Sequence, residues 1–232
     1  MIGCLLIHGF TGAPYEVEPL AEYLKKRTDW KFCVPTLPGH GTPSSLKGVQ
    51  YQEWINHAEA ELIKLIDSCD EVYLIGFSMG GMIASYLAAK YPVDKLILLS
   101  AAAFYVNPKQ LALDIKEIII DSLRGNLQDN ELFLRYKRKI TETPFAATLQ
   151  FRRLVSFIKP LLHQVNIPTF IAQGESDGIV PPKSAEYLFQ AISAKQKMLT
   201  YIKDSKHLIC HCEARDSLFS QVFEFLMKKK PV

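Results

Sequence analysis

Six short apolar runs, spread over almost the whole chain, constrain the fold more than any other feature of the sequence. They are continuous rather than alternating, a pattern typical of strands whose sheet is covered on both faces. The runs occupy residues 4–8, 31–35, 72–77, 95–101, 169–174 and 197–202. Segments with helical spacing of apolar residues lie at 15–27, 51–67, 79–90 and 214–229. This alternation predicts an α/β fold with a mostly parallel, doubly wound sheet of about six strands.

The first helical segment carries an ordered set of charges. Glu16 and Glu18 stand near its beginning, and Lys25, Lys26 and Arg27 stand at its end. Acidic groups at the start of a helix and basic groups at its end complement the helix dipole. We therefore interpret these charges as compensation for that dipole.

One region departs from the alternation of strands and helices. More than sixty residues between Ala101 and Thr169 show helical signals only. These signals lie at 109–123, at 129–139 and from the pair Thr143-Pro144 to about Lys159. Such a crossover is longer than a parallel sheet requires. We interpret residues 104–165 as a helical cap, inserted into a core that residues 1–103 and 166–232 form.

Residues 76–81 read GFSMGG, at the junction of a predicted strand and a predicted helix. A serine at such a corner adopts a strained backbone conformation, and the residues two positions before and after it must be small. Gly76 and Gly80 meet this requirement around Ser78. The start of the helix would direct its free N–H groups at whatever the serine attacks. This context favours Ser78 as a nucleophile over a capping serine in a glycine-rich connection.

A serine at neutral pH needs a base that accepts its proton, and histidine suits this task. His207 follows the last apolar run, where a loop would bring it to the same sheet edge as Ser78. We predict that His207 is the base, with His40 as the second candidate. His8, at the end of the first run, is interpreted as a structural histidine bonded to the backbone. The other three histidines are predicted to be exposed: His57, His163 and His211.

An acidic residue must orient the histidine. Asp177 lies in the turn that directly follows the apolar run 169–174, and active groups of doubly wound sheets collect at the carboxyl ends of strands. Glu175 is a nearby competitor. Asp204 is close to His207 in sequence, but an ordinary turn residue explains it better. The predicted order along the chain is therefore Ser78, Asp177 and His207.

Two backbone amides are candidates for the oxyanion hole. The turn after the first run, in LLIHGFTG (5–12), would free the N–H of Phe10, and the N–H of Met79 follows the serine. Each donor to the oxyanion of a tetrahedral intermediate can contribute roughly 10²–10³ in rate. We predict that Phe10 and Met79 bind the substrate in this way.

Three successive potential ligands, Cys210-His211-Cys212, invite a zinc interpretation, but neighbours of this kind cannot readily close around one tetrahedral ion. We expect no metal and no cofactor. Five scattered cysteines fit a reducing compartment better than a disulfide framework. The first residues lack the features of a signal peptide, and no apolar run reaches membrane-spanning length. A cytoplasmic location is therefore expected.

The charge balance of the chain excludes one class of partner. Twenty-seven basic residues against 24 acidic ones leave a net charge of +3, too small for a nucleic-acid footprint. We expect a small molecule as the partner, with no nucleic acid and no stable membrane insertion. The oligomeric state stays open.

The stretches LLIHGFTG, LPGHG, GFSMGG, SDGIVPP and SKH, in this order, resemble the α/β-hydrolase superfamily. In particular they are similar to the small bacterial carboxylesterases that also resemble monoacylglycerol lipases. The similarity runs from Leu5 to about Leu226. It implies an α/β-hydrolase fold with its cap at the insertion, and the roles already predicted for the serine, the acid, the histidine and the two amides. The chain departs from the family pattern at one position. The residue before the histidine of this site is usually glycine in the family, and here it is Lys206.

Together with this resemblance, the predicted residues imply a serine carboxylesterase that hydrolyses short- to medium-chain carboxylic esters through an acyl-enzyme on Ser78, with a small-molecule ester as its partner. The same catalytic residues could serve a monoacylglycerol lipase, a thioesterase or a carbon–carbon bond hydrolase. An alternative of another class is a ligand-binding or receptor-like member of the fold with poor turnover.

Overall fold

All six predicted strands are confirmed, and each pairs in parallel with its neighbours in one sheet. The computed structural model describes residues 1–41, 45–105 and 145–228. The strands are β1 (Ile2–Ile7), β2 (Lys31–Cys33), β3 (Glu71–Phe77), β4 (Lys95–Leu99), β5 (Thr169–Gly174) and β6 (Lys197–Ile202). Their spatial order is β2-β1-β3-β4-β5-β6.

Six α-helices are present among the described residues, and they cover both faces of the sheet. They are α1 (Glu18–Lys25), α2 (Tyr51–Ile66), α3 (Met79–Lys90), α4 (Phe145–Ile158), α5 (Lys183–Ala191) and α6 (Arg215–Met227). Short 3₁₀ turns occupy Pro14–Glu16, Lys159–Gln164 and Ile209–His211. No helix in the described ranges is long and apolar enough to cross a membrane.

The apolar runs of the central strands are continuous because alternate residues of each of these strands enter two different cores. In β1, Leu5 and Ile7 point into the core that α2, α3, α4 and α5 cover. Cys4 and Leu6 point into the opposite core, beneath α1 and α6. A strand that is buried on both faces has no polar side, as expected for a doubly wound sheet.

The strand order creates a crevice between β1 and β3. The chain passes from β1 outward to β2 and then returns to the other side of β1 to form β3. At such a switch point the connections at the carboxyl ends diverge and leave room for a ligand. The loop after β1 and the turn after β3 therefore face each other across this crevice.

Part of the predicted cap lies within the described residues. The helical segment expected up to about Lys159 is α4, which packs against α2 and α3 through buried apolar residues such as Leu154 and Ile158. A further link joins Gln150 of α4 to Gln50, whose Oε1 accepts a 2.9 Å hydrogen bond from Gln150 Nε2. The helices predicted at 109–123 and 129–139, and the pair Thr143-Pro144, lie outside the described residues.

Candidate active site

Ser78 occupies the sharp turn between β3 and α3, with φ 54° and ψ −116°. A non-glycine residue in this region carries strain of about 1–3 kcal/mol. The turn is also crowded: a Cβ atom on Gly76 would collide with the backbone of Gly80, and one on Gly80 would collide with the carbonyl oxygens of Ile7 and His8. The two glycines therefore permit the corner that places the serine at the end of the sheet.

Two further residues form a hydrogen-bonded series with Ser78. His207 Nε2 lies 3.0 Å from Ser78 Oγ, and His207 Nδ1 lies 2.8 Å from Asp177 Oδ2. An ionised carboxylate can only accept, so Nδ1 carries the ring proton and Nε2 is free to accept the proton of the serine. All three residues are buried, at 6–8% exposure.

The Asp177 carboxylate is held on both of its oxygens. Oδ1 accepts hydrogen bonds of 2.9 Å from the amides of Ile179 and Val180. Oδ2 accepts from His207 and also from Gln173 Nε2 at 2.9 Å. The competing acids Glu175 and Asp204 are both exposed. Asp177 is therefore the predicted acid that the structure brings to the histidine.

The amides of Phe10 and Met79 lie on the two sides of the crevice. Phe10 follows β1, and Met79 is the first residue of α3, where backbone N–H groups have no partner within the helix. Neither amide donates to a protein acceptor in the described part of the chain. Because the backbone of Ile7 and His8 packs closely on Gly80, the two donors belong to one compact corner around Ser78.

Glu16 supports the loop after β1, a role that the sequence interpretation missed. The residue is 2% exposed, and its Oε2 accepts a 2.9 Å hydrogen bond from the Gly9 amide. Gly12 lies so close that a Cβ atom there would overlap the carboxylate. The residue precedes α1 in a 3₁₀ turn and points inward, so it lies outside the helix to which the sequence interpretation assigned it.

The remaining histidines have backbone or packing roles. His8 Nε2 accepts a 3.0 Å hydrogen bond from the Leu37 amide, and His8 Nδ1 donates to the Gly9 carbonyl at 2.9 Å, which confirms its predicted backbone bonding. His40, the second candidate base, is buried against Phe10 and His8. As predicted, His163 is exposed, whereas His57 and His211 are half-buried.

The Cys210-His211-Cys212 stretch makes ordinary protein contacts. His211 Nε2 donates a 2.8 Å hydrogen bond to the Tyr15 carbonyl, and Cys212 Sγ donates to the Ile209 carbonyl at 3.2 Å. Cys210 is buried, and burial raises the pKa of its thiol. Within the described ranges, no three His, Cys, Asp or Glu side chains are grouped so that they could hold a metal ion. Lys206, the departure from the family pattern, is exposed.

Aromatic side chains lie beside the loop after β1. Phe151 of α4 stacks on Phe10, with ring centroids 5.1 Å apart and planes inclined by 11°. Tyr105 packs against the same Phe151 ring at 4.9 Å, and Trp54 lies 5.8 Å from Phe10. An apolar wall therefore borders the loop that carries the Phe10 amide.

Comparison with known proteins gives the family of the chain. Residues 3–213 match the family described as serine aminopeptidase, S33. A thermostable monoacylglycerol lipase of Bacillus sp. (strain H-257) is 30% identical, over 98% of this chain and 91% of that protein. A carboxylesterase of Bacillus subtilis (strain 168) is 22% identical, over 97% of this chain and 92% of that protein.

Solved structures agree on the fold. A metagenome-derived lipolytic enzyme has a TM-score of 0.80 at 24% identity, covering 98% of this chain and 94% of that one. The monoacylglycerol lipase of Paleococcus ferrophilus has a TM-score of 0.73 at 18% identity, covering 97% and 93%. From the family match over most of its length and its 30% identity to the Bacillus lipase, the chain belongs to the serine aminopeptidase S33 family of α/β-hydrolases, and it is a serine hydrolase of the esterase and lipase type.

Proposed function

We propose that the protein hydrolyses carboxylic esters of short to medium acyl chain length through an acyl-enzyme on Ser78. The observation that carries the proposal is the hydrogen-bonded series from Ser78 Oγ through His207 to Asp177 Oδ2. Its members come from loops after β3, β6 and β5, and all of them lie at the carboxyl edge of the sheet.

In the first half of the reaction, Ser78 Oγ attacks the ester carbonyl while His207 Nε2 takes the serine proton. The oxyanion of the tetrahedral intermediate accepts hydrogen bonds from the Phe10 and Met79 amides. Collapse of the intermediate breaks the bond to the alcohol, which leaves with the proton from His207. The acyl group stays on Ser78 as an ester.

In the second half, water attacks the acyl-enzyme as His207 accepts one of its protons. The same two amides stabilise the second oxyanion. The acid is released when His207 returns the proton to Ser78 Oγ. Throughout, Asp177 holds the ring in the required tautomer and stabilises the imidazolium that forms in each half of the reaction.

The short to medium chain length rests on the wall beside Phe10. Phe151 and Tyr105 fill the space next to the oxyanion loop with aromatic rings. Residues 104–165 are proposed to form the cap over this site, with 1–103 and 166–232 as the core. Support for the cap comes from α4, whose Phe151 contacts the oxyanion loop directly.

Monoacylglycerol hydrolysis is the second candidate, because the 30% identical relative is a monoacylglycerol lipase that aligns over 98% of this chain. A monoacylglycerol differs from a simple ester in its leaving alcohol, which is glycerol. The two candidates therefore predict different dependence on the alcohol at equal acyl chain length.

The test compares p-nitrophenyl esters of graded chain length with 1-monoacylglycerols of the same acyl chains. We expect the highest kcat/KM on short- to medium-chain esters. Ser78→Ala should lower turnover by on the order of 10⁶. Ser85→Ala is the matched control, because Ser85 is a buried serine of α3 whose hydroxyl donates to the Gly81 carbonyl.

Covalent labelling with a fluorophosphonate, followed by peptide mapping, identifies the nucleophile independently. Labelling at a serine other than Ser78, or Ser78→Ala that keeps most of the activity, would refute the assignment. Preference for monoacylglycerols at every chain length would favour the second candidate. Ligand binding without turnover of any ester would support the receptor-like alternative.

We also propose that the protein works in the cytoplasm. Its five cysteines, Cys4, Cys33, Cys69, Cys210 and Cys212, are all free thiols. Free thiols persist in a reducing compartment. Fractionation of cells that produce the native protein, followed by immunoblotting, tests this location.

A further inference from the structure

Gln173 is a polar residue near the carboxyl end of the mostly apolar β5, whose sequence is TFIAQG. The residue is fully buried, at 0% exposure. Glutamine is mostly found on protein surfaces, and its burial is favourable only when its amide is hydrogen-bonded. Its position at the end of the strand, four residues before Asp177, places it behind the acid of the candidate site.

The Gln173 amide nitrogen donates to the acid itself. Nε2 lies 2.9 Å from Asp177 Oδ2 and 3.0 Å from the Val180 carbonyl oxygen. The first acceptor is the same oxygen that accepts from His207 Nδ1. Gln173 and His207 therefore share one carboxylate oxygen, and the Val180 contact fixes the direction of the amide.

Within the described part of the chain, the carbonyl end of the amide is buried without a hydrogen bond. Gln173 Oε1 accepts none from the residues that the structure describes. Rotating the amide by half a turn would bring Oε1 against the carboxylate and the carbonyl, so the orientation with Nε2 toward Asp177 is the favourable one. A buried acceptor without a partner is costly and uncommon in native proteins. The arrangement is explained if the donor to Asp177 is what the position requires.

We propose that Gln173 is a positioning residue for the reaction, which sets the orientation of Asp177 and the share of its charge that reaches His207. This inference rests on the proposed roles of Ser78, His207 and Asp177. The Gln173 donor holds Oδ2 in the direction of His207. It also draws part of the negative charge of that oxygen away from the imidazole.

Removal of the donor therefore has two consequences. The carboxylate keeps its Oδ1 bonds to the Ile179 and Val180 amides but loses a restraint on Oδ2, so kcat falls. The undivided charge on Oδ2 also attracts the imidazolium form of His207 more strongly. Because the base must be neutral, the acid limb of the profile of kcat/KM against pH moves to higher pH.

Among the residues that the structure describes, few other charged groups face this cluster. Asp177 and Ser78 contact the His207 ring on its two nitrogens, and the Phe77 ring packs against it at a tilt of 42°, with 4.9 Å between the ring centroids. On the β1 side, the buried Glu16 bonds the Gly9 amide. Lys206, Glu175 and Asp204 on the adjacent turns are exposed.

The experiment measures kcat, KM and the pH profile for Gln173→Met, which keeps the length of the side chain but donates no hydrogen bond. We expect kcat to fall roughly tenfold, the effect of losing one hydrogen bond to a charged group, with KM nearly unchanged. The acid limb should move to higher pH. Thr169→Val is the matched control, since Thr169 is equally buried in β5 and its hydroxyl donates a local hydrogen bond to the Ile167 carbonyl.

Gln173→Glu provides a second variant of nearly identical shape. Two adjacent buried carboxyl groups share one proton, so at low pH the introduced carboxyl group would still donate to Asp177. We expect kcat near that of the wild type on the acid side and a new decline on the basic side, where the shared proton is lost. Thermal unfolding monitors the fold of each variant.

Three outcomes separate the possibilities. A Gln173→Met enzyme with kcat within about twofold of wild type and an unmoved acid limb overturns the inference. Equal losses in Gln173→Met and Thr169→Val, with no change in either pH profile, reduce Gln173 to a packing role and also overturn it. Ser78→Ala is measured in parallel. If that variant stays active, the proposed function itself fails. If Ser78→Ala is inactive while Gln173→Met is unaffected, only the role of Gln173 is refuted.

Discussion

Phe151 of α4 lies flat on Phe10, with 5.1 Å between the ring centroids and 11° between the planes. The pair connects the long crossover after β4 to the loop after β1. Phe10 contributes its backbone amide to the proposed oxyanion hole, so the stack links the wall of the proposed substrate site to the position of a proposed catalytic donor. An aromatic pair of this kind is worth about 0.5–1.5 kcal/mol beyond its buried area.

The stack predicts that Phe151 limits acyl chain length. Phe151→Leu should shorten the apolar wall and favour the longer acyl chain. The ratio of kcat/KM for a decanoyl ester to kcat/KM for a butyryl ester should rise roughly tenfold. The reason is that each added methylene in an apolar pocket contributes about 1 kcal/mol or more. The measurement is a chain-length series of p-nitrophenyl esters. Phe157→Leu on the same helix is the control, since Phe157 is 43% exposed. Equal ratios in both variants and the wild type would contradict the prediction.

Asp177→Asn should lower kcat by on the order of 10⁴ without unfolding the protein. The asparagine oxygen can still accept from the Ile179 and Val180 amides. Its nitrogen would face His207 Nδ1 and favour the tautomer in which Nε2 is protonated, and that tautomer cannot accept the serine proton. Steady-state kinetics and circular dichroism check the two parts. Glu175→Gln changes the exposed competitor, and a larger loss there than in Asp177→Asn would reverse the assignment.

Glu16→Ala should lower kcat roughly tenfold with a small change in KM, because the buried Gly9 amide loses its acceptor and the oxyanion loop loses an anchor. Glu16→Gln keeps an acceptor oxygen in place and should retain most of the activity. Glu18→Ala is the control on an exposed acidic residue of the same segment. Kinetics on one good ester substrate suffice. An unchanged kcat in Glu16→Ala would show that the loop does not need this carboxylate.

The free energy of unfolding should decrease as the pH rises above about 9. Burial raises the pKa of the Cys4 and Cys210 thiols in the folded protein, and burial with the nearby Glu61 raises the pKa of Cys33 to about 11. A folded-state pKa above the unfolded value means that the native protein binds more protons. Its contribution to stability is complete below the unfolded value near 9 and is lost as the pH approaches the folded value.

Urea unfolding between about pH 7.5 and 10.5 under reducing conditions measures this decrease. One buried thiol contributes a slope of at most about 1.4 kcal/mol per pH unit. Cys4→Ala removes one such group and should therefore flatten the decline, although it lowers stability at neutral pH by leaving a small cavity. A decline as steep in Cys4→Ala as in the wild type would exclude Cys4 as a contributor.

Most of the sheet could be predicted from the sequence because the four central strands, β1, β3, β4 and β5, are buried on both faces, and such a strand leaves a continuous apolar run. The corner at Ser78 could be predicted for a similar reason: the close approach of Gly80 to the β1 backbone excludes larger residues, so the glycines are visible in the sequence. Helix α5 was not predicted individually, because it follows two prolines and carries a short apolar face.

Glu16 and Gln173 could not be assigned from the sequence, because an isolated acid or amide gives no sign of which distant group it faces. In the sequence, Glu16 resembles a charge at the start of a helix. Only the fold brings its carboxylate to the Gly9 amide in the loop after β1. In the sequence, Gln173 is a polar residue in a mostly apolar strand. Only the fold brings its amide nitrogen to the Asp177 carboxylate and the Val180 carbonyl in the following turn. The sequence contained one signal for Gln173, which is its position within a mostly apolar strand. A polar residue at such a position indicates burial with a hydrogen-bond partner.

The sequence by itself determined the α/β class, the parallel strands, the strained corner at Ser78 and the order in which the serine, the acid and the histidine follow the strand ends. These features depend on local periodicity and on steric limits at single positions. Only the tertiary structure decided that Asp177 rather than Glu175 meets His207, that Gln173 shares the same carboxylate oxygen, and that Phe151 lies on Phe10. Those contacts join residues from separate elements, and their distances depend on how the helices and loops pack across the edge of the sheet.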